Sequence, residues 1–297
     1  MSNILVTGVA VLDFIFQLDV MPLEAEKYRA NDVSISEGGV AANAAVAISK
    51  LGGQVTLVSR LGKDEIGNII KNQFYNERVN INYLREFVDC RSSFSSVYID
   101  ELGERQIVNY RDQNLPEDAT WIKNIAEHSV YLADTRWSLG AIETLKMAKI
   151  FNKPGILDAE DTVTEQAIKL ASHIAFSEHG LRAFTKEKNL QKALGKISQI
   201  TDAWICVTCG EKGVFVYKNN DIKNIPAPKV DVKDTLGAGD VWHGAFSLSL
   251  SEGNNELDSV EFANSVASLK CSFFGGRNSF PNRDQVTDFI KEQKKCN

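Results

Sequence analysis

Asp234-Thr235-Leu236-Gly237-Ala238-Gly239-Asp240 runs directly into Val241-Trp242-His243-Gly244-Ala245-Phe246. Two glycines flanking an alanine let the backbone turn tightly and come close to a ligand. The apolar run behind them reads as a helix, so the turn presents that helix's free N–H groups and positive dipole end. Phosphate or developing negative charge can be held there. Asp240 stands at the helix start. As a cap it would only satisfy backbone donors; as a base it would take the proton of an alcohol attacking phosphorus. These residues alone leave both readings open. They do exclude two other loops. No G-x-x-x-x-G-K-[ST] occurs in the chain, and Trp242 stands where a dinucleotide fingerprint beginning at Gly237 needs glycine.

Outward from this loop the pattern is one of alternation. Residues 4–9 form a short apolar run ending near Gly8, consistent with a buried first strand. The Ala-rich stretch 41–51 after Gly38-Gly39 is helical and stops at Gly52-Gly53; residues 54–60 read as a strand, and Asp64 as the cap of the next helix. Apolar runs at 129–133, 155–158, 173–176 and 203–208 alternate with helical stretches, which implies βα units and a parallel sheet covered on both faces. Residues 213–218 and 221–225 read as a hairpin around Asn219-Asn220, and the C-terminal third ends in two helices, about 240–251 and 256–270. Four strands do not fit the βα rhythm: 14–18, 27–36, and 92–100 with 105–111, the last two alternating around Glu101-Leu102-Gly103-Glu104. Half-polar strands supplied from two separate places predict a small sheet projecting from the main one. With no linker or repeat, the expectation is a single domain over 1–297 with lid strands from about 14–36 and 92–111.

The chain has 297 residues, a net charge of −6, and 43% hydrophobic and 24% charged residues. That is the composition of an ordinary globular protein, and its sign argues against nucleic acid or an anionic membrane as partner. The segment beginning Met1-Ser2-Asn3-Ile4 lacks the features of a secretory signal, and no apolar run approaches the ~20 residues that span a bilayer. Five scattered cysteines then read as reduced thiols of a cytoplasmic protein. Cys206 and Cys209 have C-x-x-C spacing but sit in the run 204–209, which reads as a buried strand rather than a metal or redox site. His243, Trp137 and Trp242 read as packing residues.

The 234–240 stretch resembles the D-T-x-G-A-G-D motif of the ribokinase-like (PfkB) carbohydrate kinases, with Leu236 at the variable position. The resemblance implies that Asp240 is the catalytic base and that the amides of Gly237, Ala238 and Gly239 form an anion hole. Gly38-Gly39-Val40-Ala41-Ala42-Asn43 resembles the family's sugar-site motif, which assigns Gly38, Gly39 and Asn43 to the acceptor. Asp13 matches the aspartate that holds two acceptor hydroxyls; the alternative for it is an exposed turn acid. Thr208-Cys209-Gly210-Glu211-Lys212-Gly213 is similar to the T-x-G-x-x-G nucleotide loop, giving Thr208, Gly210 and Gly213 to ATP. Asn264, Ala267 and Gly275 are similar to the segment that cups adenine.

One motif departs. Where the family has N-x-x-E, this chain has Ser177-Glu178-His179-Gly180, which leaves Glu178 as an indirect, water-mediated partner of Mg²⁺. Asp234 is the expected ligand of a monovalent cation such as K⁺. The implied fold is a three-layer α/β/α sandwich with a mostly parallel central sheet and a small β-sheet lid; the implied cofactors are ATP and Mg²⁺, and the implied assembly a homodimer through the lid.

Within the family, Glu24–Tyr28, 103–110, 132–137, 176–181, 240–245 and 269–271 are similar to the sulfofructose kinase branch. That likeness implies that Lys27, Asn109 and Arg136 grip the anionic end of a ketose such as 6-deoxy-6-sulfofructose, with a 1-phosphate product. A tetrahedral anion suits a cation beside a fork-shaped Arg donor. Read only as residues, Lys27 is equally a solvated strand residue and Arg136 a partner of Asp134 or of a helix end. The alternatives are a neutral-sugar kinase (fructokinase or ribokinase), a nucleoside kinase, and a catalytically silent sugar-binding protein.

Overall fold

The computed structural model describes residues 3–296; Met1, Ser2 and Asn297, which belong to the N-terminal segment and the 1–297 range read above, lie outside the described residues. Strand β1 (Asn3–Thr7) lies near one side of the main sheet, β2 (Val11–Gln17) and β3 (Asp32–Gly38) leave it, and helix α1 (Val40–Lys50) returns to it. Next come β4 (Gln54–Val58), β5 (Arg60–Gly62), α2 (Glu65–Asn76) and β6 (Arg85–Phe87). The hairpin β7 (Phe94–Ile99) and β8 (Arg105–Tyr110) follows. Strands and helices then alternate through β9 (Val130–Asp134), α3 (Ser138–Ile150), β10 (Gly155–Ala159), α4 (Glu165–Leu170) and β11 (His173–Ser177). After α5 (Glu178–Thr185), α6 (Leu190–Ser198) and β12 (Trp204–Thr208), the hairpin β13 (Val214–Lys218) and β14 (Asp221–Ile225) leads to α7 (Ala238–Ser251), α8 (Glu256–Cys271) and α9 (Arg283–Cys296).

The main sheet has the order β14-β13-β12-β11-β10-β9-β1-β4. Strands β4 through β12 in that order are parallel, and β13 and β14 close one edge antiparallel. Asn219 and Asn220 turn the edge hairpin with φ of 54° and 62°, the left-handed pair a two-residue turn requires. The inner strands are mainly apolar because both faces of the sheet are covered. Ile4 and Val6 point into a core with α1, α7 and α8, while their neighbour Leu5 points into a second core with Tyr131 and Trp137. Cys206 joins the first of these, whereas Ile205 and Val207 pack with α4 and α6. Strand order reverses where β1 lies between β9 and β4, so a crevice opens beyond the carboxyl ends of β1 and β9.

The second sheet has the order β3-β2-β7-β8, the four strands that fell outside the βα rhythm. Two boundaries differ from expectation. The first strand of the 27–36 stretch begins only at Asp32, the residue that pairs with Gln17; residues 23–28 instead form a turn in which the Tyr28 hydroxyl accepts from the Leu23 and Glu24 N–H groups. Lys27 therefore lies in an exposed loop, not on a strand. A third C-terminal helix, α9, follows the two that were expected; its charged residues outnumber an apolar stripe that buries Val286 and packs Phe289 and Ile290 on the core. No described helix is long and apolar enough to cross a membrane.

Small residues set the spacing that matters for the site. A side chain at Gly244 of α7 would meet the Ala44 carbonyl at 2.6 Å. Glycine there and the alanines of α1 let the two helices approach backbone to backbone, which brings Asn43 of α1 beside Asp240 of α7.

Candidate active site

Asp240 lies in the first turn of α7, and Gly237 caps that helix with φ 75°, a left-handed conformation that suits glycine. The Asn43 amide donates to Asp240 Oδ2 at 2.7 Å, and the Asn43 oxygen accepts from Arg277 Nε at 2.7 Å. Arg277 also donates to the Gly38 carbonyl at 3.2 Å and is 3% exposed. This Arg277–Asn43–Asp240 chain links three segments more than 190 residues apart in part. Burial pushes the Asp240 carboxyl up to about 6; Asp134 and Glu160 push the same way, while the Asn43 bond and Arg277 hold it back. A carboxylate poised there is ionised at neutral pH yet basic enough to take a proton.

Gly38, Gly39 and Asp13 form the other wall. Gly39 caps α1 with φ 97°, and a side chain on it would meet the Val9 carbonyl at 2.4 Å; one on Gly38 would meet Asp13 Oδ2 at 2.1 Å. Burial raises the Asp13 carboxyl, while Ser95 and the Arg277 charge hold it back. Asp134, at the end of β9, is 2% exposed and accepts from the N–H groups of Val9 (2.8 Å), Ala41 (3.2 Å) and Arg136 (2.9 Å). It reaches them because Gly8 has no side chain: a Cβ there would overlap the Asp134 carboxyl. This buried acid ties the first strand, the glycine turn and β9 together at the crevice.

Of the three residues read as an anion grip, Asn109 lies in β8 and donates to Ser95 Oγ at 3.0 Å. Ser95 pairs across the lid with Asp13, so Asn109 and Asp13 share the same sheet face. The Arg136 guanidinium donates to Asp161 at 3.0 Å. Arg111, just past β8, stands within electrostatic reach of Arg136, and burial together with that like charge lowers its pKa. Lys27 remains on its exposed loop.

A cavity of about 950 Å³ opens on the other side of Gly239. Its wall brings together Thr208, Gly210, Gly213, Ala238, Gly239, Asn264 and Ala267, the residues that the sequence divided among three separate motifs. Gly275, also assigned to it, is not part of that wall. Asn264 lines it but is 3% exposed, and its amide is committed to the structure: it accepts from Trp242 Nε1 at 2.8 Å and donates to the Ile225 carbonyl at 3.0 Å. Of the amides proposed for anion binding, Ala238 N donates to the Thr235 carbonyl at 3.2 Å. A side chain on Gly239 would meet nothing within 4 Å, so the helix start faces open space.

The metal assignments change most. Glu178 is drawn into an ion pair with Arg182 one turn along α5, and Ser177 caps that helix at Gly180 N; the altered motif thus serves as a helix start. The carboxylate that faces the site is Glu160, beyond β10, which accepts from Ser177 Oγ at 2.7 Å and raises Asp240 and Asp158 by its charge. Asp234, expected to hold a monovalent cation, is paired with Arg105 and Lys270. His243 is buried between the carbonyls of Gly239 (2.8 Å) and Ala175 (3.3 Å), with Asp158 3.3 Å away. Cys206 is buried and Cys209 half-buried; burial pushes the Cys209 thiol up to about 11, well away from the reactive range.

Sequence reasoning missed Arg277, Asp134, Glu160, Arg111 and Lys270. Gly8, five residues before Asp13, was a usable signal for a close approach, but nothing in the chain said that Asp134 made it. The sequence model of the family described as "pfkB family carbohydrate kinase" matches residues 1–283. A Bacillus subtilis ribokinase is 27% identical over 98% of this chain and all of its own length. A crystal structure from Agrobacterium tumefaciens, described as a candidate ribokinase, is 30% identical, covers 99% of each chain and has a TM-score of 0.92. An Arabidopsis thaliana ribokinase solved with ribose and ATP has a TM-score of 0.88 at 24% identity, over 98% of this chain and 99% of that one. The fold is the ribokinase-like α/β fold, with its mostly parallel sheet, covering helices and small separate sheet.

Proposed function

The chain belongs to the pfkB family of carbohydrate kinases, a family of phosphotransferases, and from that premise we propose that it moves the γ-phosphate of ATP to a hydroxyl of a small sugar with Asp240 as base. The observation that carries this reading is the position of Asp240. It follows Gly239 on the wall of the 950 Å³ cavity and bonds Asn43 of the glycine turn, so it stands between nucleotide space and acceptor space. A phosphate in that cavity would meet the start of α7 at Gly239, which faces open space, beside Ala238 N, which is turned to the Thr235 carbonyl. An acceptor hydroxyl held by Asp13 and the Gly38-Gly39 turn would reach Asp240 from the opposite side, and the lid sheet would exclude water from the transfer. Glu160, with Asp240 nearby, is the acidic group suited to hold Mg²⁺ through water, where the ion would neutralise phosphate charge. The whole chain reads as one kinase domain whose lid comes from about 14–36 and 92–111. The lid face opposite Asp13 leaves Val33, Ile35 and Val108 half-exposed or more, which supports a homodimer paired through the lid; a Val33→Asp variant should sediment as a monomer, and an unchanged dimer would place the interface elsewhere.

The acceptor we propose is an anionic ketose, such as 6-deoxy-6-sulfofructose phosphorylated at its 1-hydroxyl. Support comes from the guanidiniums of Arg136 and Arg111 gathered at the crevice and from Asn109 on the face of Asp13. A neutral sugar is the second reading, favoured by the Arg136–Asp161 ion pair, which already offsets one of those charges. ATP turnover against 6-deoxy-6-sulfofructose, fructose 6-phosphate, fructose, ribose and adenosine separates them. An anionic ketose should win by roughly a hundredfold, about 2.7 kcal/mol, and Arg136→Ala should raise its KM far more than that of fructose. A neutral winner returns Arg136 to its ion pair with Asp161; adenosine as winner means a nucleoside kinase, and no turnover at all means a silent sugar-binding protein.

A further inference from the structure

The surroundings of Asp234 do not fit the monovalent cation that the family resemblance assigned to it. Lys270, on α8, is 0% exposed; its ammonium donates to the Asp234 main-chain carbonyl at 2.8 Å and lies 3.2 Å from Oδ2. Arg105, at the start of lid strand β8, donates to Oδ1 at 3.0 Å. The remaining donors are backbone: Leu236 N to Oδ1 at 2.9 Å and Gly276 N to Oδ2 at 3.3 Å. Every oxygen of Asp234 therefore has a donor, and two of those donors carry full positive charge. An added cation on the same carboxylate would stand against a buried ammonium of like charge, with little water to screen the two.

Asp234 opens the loop that ends in the start of α7, so whatever holds it sets the shape of the anion-binding turn. Lysine is almost never fully buried unless paired, and here the pair is both a carboxylate and the carbonyl of the same residue, the two oxygens an ion would share. We propose that Lys270 is a built-in replacement for the monovalent cation: a tethered ammonium that positions the 234–239 loop and makes the protein independent of K⁺. The charge is always present and is supplied by α8 rather than by solution. Burial lowers the pKa of Lys270, and Asp234 offsets part of that; donors to Asp234 outweigh its own burial and keep it below the ordinary carboxylate range. Arg105 adds the second charge from the lid, so the lid and the anion-binding loop share one carboxylate. Lys270 does not touch the reacting atoms; it acts through the loop.

The inference rests on the kinase reading, so the test pairs turnover with a measurement that needs none. Wild-type protein is assayed and thermally melted in tetramethylammonium, Na⁺ and K⁺ buffers. Its rate should vary by less than about twofold and its Tm should not depend on the ion. Lys270→Ala opens the space of the side chain, and Lys270→Met removes the charge while keeping it filled. Both should be slow by roughly fiftyfold or more in tetramethylammonium, and only the alanine variant should recover, by at least about tenfold, on adding K⁺ or ammonium, with a parallel rise in Tm. Simple loss of a structural ion pair would give no such ion-specific rescue. Stimulation of the wild type by K⁺ of about tenfold or more overturns the proposal whether or not the variants fold. So does an alanine variant that folds, is slow and ignores every ion, or one as active as the wild type. Failure of all acceptors sinks the kinase reading instead, and the Tm comparison still reports on the cation.

Discussion

Asp240→Asn should fold, bind ATP within about threefold of wild type, and lose roughly three orders of magnitude in kcat, about 4 kcal/mol of transition-state stabilisation. The substitution is nearly isosteric, and an amide oxygen at this position can still accept from Asn43, so the chain through Arg277 has no reason to collapse. What disappears is the ability to accept a proton from the acceptor. The loss should therefore appear in kcat and not in nucleotide affinity. The wild type carries its own signature of the same group. Its carboxyl is pushed up to about 6, and only the ionised form is a base, so kcat/KM should be level above that pH and fall about tenfold per unit below it. An Asn variant within tenfold of wild type, or a rate level down to pH 5, would remove Asp240 from the role.

Arg277→Met should cost about 3–5 kcal/mol of stability, because it strands buried partners of a charged network, and should move the acid limb of kcat/KM upward. The guanidinium is the positive charge that holds down both Asp240 and Asp13. Without it the charged form of Asp240 is less favoured, its pKa rises, and the base is protonated over a wider range. A limb displaced by ~1 pH unit would leave the variant, relative to its own plateau, about twofold lower than wild type at pH 7 and nearly tenfold lower at pH 5, with the two profiles level at pH 9. Methionine keeps the stem beside Phe74, over which the guanidinium now sits at 5.4 Å from the ring centroid. A variant slowed equally at every pH would show that Arg277 acts through packing alone, and one with wild-type stability and profile would show that it does neither.

Much of this was legible in one dimension. Strand runs that are apolar on both faces can only be central strands of a covered sheet, so β1, β9, β10, β11 and β12 were readable from local composition. The half-polar strands 14–18, 92–100 and 105–111 could be set apart for the same reason, since they alternate. The exceptions are physical as well. Residues 27–31 carry enough alternation for a strand, but strand length is set by the partner, and β2 offers pairing only from Asp32 onward. Helix α9 is so rich in charge that its apolar stripe counts only once the core it lies on exists.

By itself, the sequence determined the loop at 234–240, the glycine turn at 38–39 and the order of the βα units, because each depends on residues adjacent in the chain. Glycine at a left-handed position and an acid at a helix start are local properties. The identity of the partners was decided by tertiary structure alone. Glu178, in the expected motif, is claimed by its own helix, whereas Glu160 reaches the site from β10. Asp234 is met by Lys270 and Arg105, 36 and 129 residues away, and Asn43 by Arg277 at a distance of 234. Charge and hydrogen bonding act through space, so which groups neutralise a buried carboxylate follows from how helices and sheets pack, and no spacing along the chain records it.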